Sequence, residues 1–269
     1  MIRKIMRIIP IKLFEDNYSY AVFVEGHNSY ALVDPADLAG VKAFISGNPQ
    51  LSSMNFTHVF TTHKHADHCG NNEQIAAEFP HVKIVGGASD GIPACNYSVQ
   101  DQDVIVLDNG LRITALHTPC HTRGHILYYF EDYSSNDGTN RAVFTGDTIF
   151  IGGCGRFFEG NAEEMHAAME KAKTLPTDTK VYCGHEYTES NLKWSAKVEH
   201  QNQAIQSKLE WAVAQRERGQ PTVPSTIGEE MEINVFMRAQ LLTGLLGVSD
   251  AVAAMARLRE MKNSGQTLV

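Results

Sequence analysis

Apolar residues come in short runs over the first two thirds of the chain, each closed by a polar turn. Val22-Phe23-Val24 and Tyr30-Ala31-Leu32-Val33 flank Gly26-His27-Asn28, a hairpin pattern. Further strands are predicted at Val59-Phe60-Thr61, at Val82 to Val85 before Gly86-Gly87, and at the alternating Leu111 to Leu116 before Pro119. Ile126 to Phe130 and Ala142 to Phe144 add two more, with a loop over 134–140 between them. Helical spacing falls at Asn71 to Phe79 and at Ala162 to Thr174. The second has Asn161 as N-cap and Glu163 and Glu164 in its first turn. After Val181-Tyr182-Cys183 the character changes. From Thr188 to Arg218, Leu192, Ala196, Ile205, Leu209, Ala212 and Val213 recur at helical spacing, and Gly219 and Pro221 stop the pattern. Pro221 to Ser225 reads as an extended loop, and a last helix runs from Ser249-Asp250 to Lys262. The pattern predicts an α+β protein: a β-rich mixed domain over 1–186, then a smaller all-helical domain over 187–269.

Composition adds bounds to this picture. The 269 residues are 43% hydrophobic and 20% charged, an ordinary globular composition with enough chain for a sizeable core. No apolar stretch is long enough to span a bilayer. Met1 to Ile8 is basic but lacks a signal-peptide core and runs straight into strand-like sequence, so a cytoplasmic protein is expected, with a mitochondrial form as the alternative. The net charge of −8 argues against a nucleic-acid partner. It also makes any local Arg/Lys cluster more informative. The cysteines, Cys69, Cys95, Cys120, Cys154 and Cys183, are odd in number and widely spaced, so reduced, buried packing residues are expected rather than disulfides or a catalytic thiol.

The chemistry is concentrated in Thr62-His63-Lys64-His65-Ala66-Asp67-His68. Three imidazoles and a carboxylate within six positions suit Zn, Fe or Mn, and four such groups so close in sequence point to two ions rather than one. Further donors sit where other strands end: His121 after Thr118-Pro119-Cys120, Asp147 in Thr145-Gly146-Asp147-Thr148, and His185 after Cys183-Gly184. Any of these alone would be an ordinary polar residue; the histidine run changes that weighting. Asp147 has two oxygens and can bridge. The expected set is His63, His65, His121 and Asp147 on one ion, and Asp67, His68, His185 and Asp147 on the other. Two metals and an activated water imply hydrolysis, but leave lactam, phosphodiester and thioester substrates open. His117 and His125 flank His121 and are candidates for outer partners, although packing roles are favoured for them as for the remaining histidines.

The run matches the signature of the metallo-β-lactamase superfamily. Within it the chain resembles glyoxalase II, the hydroxyacylglutathione hydrolases, along nearly its whole length. The stretches that carry the resemblance include Asp16-Asn17-Tyr18, Val33-Asp34-Pro35, Thr61 to Asn72, His117 to His125, Gly153 to Gly160, Tyr182 to Thr188 and Pro221 to Thr226. The resemblance implies an αββα sandwich followed by a helical glutathione-binding domain, and two divalent metals, zinc first, with Fe or Mn accepted by the same donors. It also implies hydrolysis of S-D-lactoylglutathione to D-lactate and glutathione, downstream of glyoxalase I. Asp67 would act with a metal-bridging hydroxide. Arg156, Phe158, Tyr187, Arg259 and Lys262 would line the glutathione site, and the protein would work as a monomer with neither membrane nor nucleic acid as partner.

Two positions depart from the family. Phe158 stands where many members have a Tyr, which removes one hydrogen bond worth about 0.5–1.5 kcal/mol. Ala66 replaces a common Trp and should change only packing. Family members that use trypanothione lose the C-terminal basic pair; Arg259 and Lys262 are present here and imply glutathione. A persulfide dioxygenase of the same superfamily lacks the helical domain and the second-metal set of Asp67, His68 and His185. A β-lactamase normally carries a secretory signal, and a superfamily nuclease would want a basic surface. A scaffold that had lost catalysis would have lost ligands.

Overall fold

Strand β2 (Asn17–Val24) is buried along its whole length and so must be covered on both faces. It lies between β1 (Met6–Leu13) and β3 (Ser29–Val33), antiparallel to each, and the β2–β3 turn is the expected hairpin. The computed structural model describes residues 5–133 and 140–268, so all of the expected 134–140 loop except Asn140 lies outside the described residues. The chain divides into two units, Met1–His117 with Gly124–Gly146, and Thr118–Arg123 with Asp147–Val269.

In the first unit, helix α1 (Leu38–Ser46) is followed by β4 (Asn55–Phe60), α2 (Ala66–Cys69), α3 (Asn72–Glu78), β5 (Lys83–Gly87) and β6 (Tyr97–Val99). The first sheet has the order β1-β2-β3-β4-β5-β6, and β3 to β6 are parallel. Strands β7 (Val104–Val106), β8 (Leu111–His117), β9 (Ile126–Asp132) and β10 (Arg141–Gly146) form an antiparallel run. Alternation along β4 separates two cores. Val59 joins Phe23, Leu32 and Ile84 in a cluster with Leu38 and Val41 of α1 and Ile75 of α3. Phe60 points the other way and meets Tyr128 and Phe130 of β9 edge-on, at 5.2 and 5.1 Å between centroids. Tyr20 and Phe130 close on Phe144 from the two sheets, at 5.3 and 5.0 Å. These aromatic contacts pack the sheets face to face.

The second unit begins with the two-residue strands β11 (Ile149–Phe150) and β12 (Gly153–Cys154), paired antiparallel. Helix α4 (Ala162–Lys173) follows, and Asn161 and Glu164 form a capping box at its start. Next come β13 (Lys180–Cys183), α5 (Thr188–Val198), α6 (Gln203–Glu217), β14 (Ser225–Thr226, antiparallel to β13), α7 (Ile227–Ile233), α8 (Thr243–Leu246) and α9 (Ala251–Ser264). The helical stretch expected from Thr188 to Arg218 is two helices. Asn202 interrupts it by accepting the Ala204 and Ile205 amides at 3.0 and 3.3 Å, a cap inside the run. Glu199 is held out of the helix by Arg238, at 2.6 and 2.9 Å. Buried faces of α4 (Met165, Met169) and α9 (Met255, Leu258) pack together. Among the described residues no single helix is long and apolar enough to cross a membrane.

Phe60 is fully buried and touches two rings of the facing sheet. Phe60→Ala should therefore cost about 3–5 kcal/mol of stability, read as a drop in the urea unfolding midpoint.

Candidate metal centre

Parallel pairing places the first donor cluster. Val33 at the end of β3 is level with Phe60 at the end of β4, so Asp34 and Thr62 leave the sheet side by side. Asp34 turns out of the strand with φ of 48°, a left-handed conformation. Its carboxylate accepts the Thr62 amide at 2.8 Å, the Thr62 hydroxyl at 2.7 Å and His68 Nδ1 at 2.9 Å. A carboxylate accepts and does not donate, so the His68 proton sits on Nδ1 and the Nε2 lone pair is left for a ligand. The Thr62 hydroxyl has given its hydrogen to Asp34. His63 Nδ1, 3.1 Å from that oxygen, must therefore donate to it, which leaves His63 Nε2 as the candidate ligating atom.

His63 Nε2 faces His65 Nδ1 at 3.0 Å, and His68 Nε2 lies 3.7 Å from Asp67 Oδ2. The ligating atoms of His63 and His65, of His63 and His68, and of Asp67 and His68 are all within 4.8 Å of one another. Asn17 Nδ2 orients Asp67 by donating to its Oδ2 at 3.0 Å and its carbonyl at 3.2 Å. Asp90 fixes the run from behind, accepting the Lys64 amide at 2.7 Å and the Gly124 amide at 2.8 Å. His125, expected to be a packing residue, stacks on the His63 ring at 5.0 Å. Gly146 explains the Thr-Gly-Asp sequence: its φ is 46°, and a Cβ there would fall 2.5 Å from Thr62 Oγ1 and 2.7 Å from His125 Nε2.

The second unit holds a second cluster. His121 Nε2 and His185 Nε2 lie 3.5 and 3.4 Å from the same oxygen, Asp147 Oδ2. That is longer than a good hydrogen bond and suits donors that share an ion. His121 Nδ1 donates to the Arg156 carbonyl at 2.9 Å, which again leaves Nε2 for ligation. Gly155 packs directly behind, since a Cβ there would meet Asp147 O at 2.0 Å and His121 Nδ1 at 2.8 Å. His185 stacks flat on Tyr187 at 4.7 Å, and the Phe150 ring meets both at 5.9 and 5.2 Å.

The sequence-predicted donors thus fall into two groups, His63, His65, Asp67 and His68 in one unit, and His121, Asp147 and His185 in the other. The donor chemistry, neutral imidazole and carboxylate with outer hydrogen bonds that set each tautomer, fits divalent metals of the Zn, Fe and Mn kind. Asp34, Asn17 and Asp90 carry no signal in spacing. Asp34 alone, directly after a strand and before a proline, could have been suspected.

Of the other predicted residues, Phe158 packs on the His121 ring at 5.1 Å and is largely exposed, as is the Arg156 side chain. Arg259 is buried; its Nη1 donates to Cys154 O at 3.2 Å, its guanidinium lies 5.6 Å from the Phe236 ring, and its Nε is buried without a partner. Lys262 Nζ donates to Asn191 Oδ1 at 2.6 Å and lies 4.9 Å over Trp194. All five cysteines are free, and four are buried. Burial pushes the Cys69 and Cys154 thiols up to about 11 and those of Cys120 and Cys183 up to about 12, so none of these four is a thiolate at neutral pH.

Strand-end imidazole and carboxylate clusters on two face-packed sheets define a metallohydrolase of the metallo-β-lactamase class. That superfamily's family model matches residues 15–185, and a second, described as the hydroxyacylglutathione hydrolase C-terminus, matches 186–265. The chain is 42% identical to "Hydroxyacylglutathione hydrolase cytoplasmic" of Arabidopsis thaliana, over 96% of this chain and 98% of that one. It is 39% identical to a probable hydroxyacylglutathione hydrolase of Schizosaccharomyces pombe, over 96% and 99%. Among solved structures, ETHE1 from Myxococcus xanthus superposes with a TM-score of 0.67 at 26% identity, covering 96% of this chain and 91% of that one. The chain belongs to the hydroxyacylglutathione hydrolases, the glyoxalase II family, and is a thioester hydrolase.

Because Asp34 sets the His68 tautomer, Asp34→Asn should weaken metal binding by about 10–100-fold. Competition against a chromophoric chelator measures this directly, and unchanged affinity would show that His68 needs no such partner.

Proposed function

We propose that the protein is a binuclear metallohydrolase that cleaves the thioester of S-(2-hydroxyacyl)glutathiones. S-D-lactoylglutathione and water become D-lactate and glutathione, the second step of methylglyoxal detoxification. The observation that carries this reading is the coexistence of imidazole–carboxylate donor clusters with a C-terminal region, residues 186–265, that matches hydroxyacylglutathione hydrolases. His63, His65, His121 and Asp147 would hold one ion, and Asp67, His68, His185 and Asp147 the other. In support, His63 Nε2 and His65 Nδ1 lie 3.0 Å apart in the first unit, and His121 and His185 Nε2 lie 3.5 and 3.4 Å from Asp147 Oδ2 in the second. Residues 1–186 would form the catalytic domain and 187–269 the glutathione-binding domain, a division supported by the border between the two family models.

A bound divalent metal supplies Lewis acidity, polarising a carbonyl and acidifying water to a pKa of about 7. The chain's residues supply the rest. Asp67, oriented by Asn17 and with 44% of its side chain exposed, accepts the proton of the attacking water. Water oxygen bonds to the acyl carbon, the C–S bond breaks, and the departing thiolate takes up a proton. Thiolate is a good leaving group, so no strong general acid is needed, and the buried cysteines, held as thiols, play no nucleophilic part.

Arg259 and Lys262, one turn apart on α9, form the cationic end of the glutathione site. Neither is ion-paired among the described residues, and Arg259 Nε is a buried donor without an acceptor, so a substrate carboxylate would satisfy both. Arg156 and the Tyr187 hydroxyl would complete that site, with Phe158 along its wall. The name of the Arabidopsis relative supports a cytoplasmic location. The protein would act as a monomer on the product of glyoxalase I.

The deciding experiment is hydrolysis of S-D-lactoylglutathione by the purified protein, with metal content measured on the same sample. Turnover with two metals per chain is expected, abolished by chelation and restored by Zn; a metal-free protein without thioesterase activity would overturn the reading. A second prediction concerns Lys262, whose ammonium is pushed down to about 8 by burial, Arg259 adding repulsion. It is charged below that value and neutral above it. KM should therefore rise as pH increases through about 8, and Lys262→Arg should move the rise to higher pH. KM should also rise with ionic strength as salt screens the basic pair.

A further inference from the structure

Strands β11 and β12 are two residues each, so the backbone from Phe150 to Cys154 makes few ladder bonds of its own. Side chains from α5, α7, α9 and the residue after α7 meet its polar groups instead. Asn234 Nδ2 donates to Phe150 O at 3.2 Å and Gly153 O at 2.9 Å. Asn191 Nδ2 donates to Ile151 O at 3.1 Å, Ser195 Oγ to Gly152 O at 3.2 Å, and Arg259 Nη1 to Cys154 O at 3.2 Å. Each of these is a side-chain donor meeting a carbonyl. One bond runs the other way: the Gly152 amide donates to Glu230 Oε2 at 2.9 Å.

Glu230 is fully buried, and no cation pairs with it among the described residues. Ser225 Oγ, at 2.6 Å, and Asn234 Nδ2, at 3.0 Å, complete its hydrogen bonds. Burial pushes its carboxyl up to about 7, against the pull of those three donors. An unpaired buried carboxylate is costly, and an apolar side chain would fill the same space without that cost. What an apolar residue could not do is accept the Gly152 amide.

The hairpin packs on one donor of the second cluster, and the two residues that follow it meet the other two. Asp147 lies three residues ahead of Phe150 in the chain. The Phe150 ring packs on His185 at 5.9 Å. Just beyond Cys154, Gly155 sits against Asp147 and His121, and the Arg156 carbonyl takes the His121 Nδ1 proton at 2.9 Å. We propose that Glu230 is a positioning residue: by holding the Gly152 amide it fixes the hairpin that aligns Asp147, His121 and His185. The C-terminal helices then act on the metal donors as well as on the substrate. This rests on the metal-centre reading above.

Glu230→Gln preserves the bonds, because its Oε1 accepts from Gly152 and Asn234 while its Nε2 donates to the Ser225 hydroxyl oxygen. Glu230→Leu removes them and leaves the Gly152 amide unsatisfied. The test measures Zn affinity by chelator competition on the folded full-length proteins, with melting temperature recorded alongside. Glu230→Gln should keep wild-type affinity, and Glu230→Leu should bind Zn about tenfold more weakly, the scale of losing an outer hydrogen-bond partner. A merely structural Glu230 would lower the melting temperature of Glu230→Leu and leave its Zn affinity unchanged, which overturns the proposal. If Glu230→Leu does not fold, Ser225→Ala decides: weaker Zn binding supports the role and unchanged binding overturns it. Wild-type protein that binds no Zn would instead sink the metal-centre reading, and this inference with it.

Discussion

An imidazole offers a metal one nitrogen, and which nitrogen it offers depends on what holds the other. In this chain the second nitrogen is assigned for three of the donor histidines. Asp34 takes the Nδ1 proton of His68, the Thr62 hydroxyl takes that of His63, and the Arg156 carbonyl takes that of His121. Asp34 also orients the Thr62 hydroxyl, so one carboxylate sets the tautomers of two candidate ligands. Its own position follows from the parallel pairing of β3 and β4, which ends both strands at one level. Phe60, at the end of β4, packs edge-on against Tyr128 and Phe130 of the facing sheet and so anchors that pairing. Ligand chemistry in the first unit thus depends on sheet register, and a slip of one residue would turn Asp34 to the other face.

The second unit solves the same problem with different parts. Its donors come from a loop, a strand end and the segment after β13, and short range alone cannot align them. Glycines allow the close approach: Gly155 admits no Cβ against His121 and Asp147. Helical side chains then supply the hydrogen bonds that two-residue strands lack. Arg259 and Lys262, the cations proposed to meet the substrate, are also tied to this scaffold through Cys154 O and Asn191.

Most of the frame was legible from apolar spacing. The β2–β3 hairpin, the strands leading to His63 and Asp147, and the Asn161 cap of α4 all stand where alternation and capping chemistry put them. The break between α5 and α6 was not, because Asn202 sits inside a run whose composition favours helix and acts as a cap only once Glu199 is drawn aside by Arg238. The candidate donors stood out in the sequence because metal ligation would restrict residue type and local spacing. Asp34, Asn17, Asp90 and Glu230 were not, since each acts through two or three hydrogen bonds that include residues distant in sequence, and a lone carboxylate or amide carries no mark of its partner. His125 shows the limit from the other side: a histidine near a candidate ligand in sequence, it stacks on the His63 ring.

The state of the cysteines has a consequence for a protein whose proposed product is itself a thiol. Disulfide exchange needs a thiolate with access to solvent. Cys69, Cys120, Cys154 and Cys183 are buried and held protonated well above neutral pH. Such thiols exchange slowly with a pool of glutathione and its disulfide, so turnover would not be accompanied by mixed disulfides at these four sites. The packing that keeps them inert is the packing that seats the donors, since Cys120 and Cys183 lie within two residues of His121 and His185. Resistance to the redox state of the product pool is in that sense a by-product of how the ligands are held.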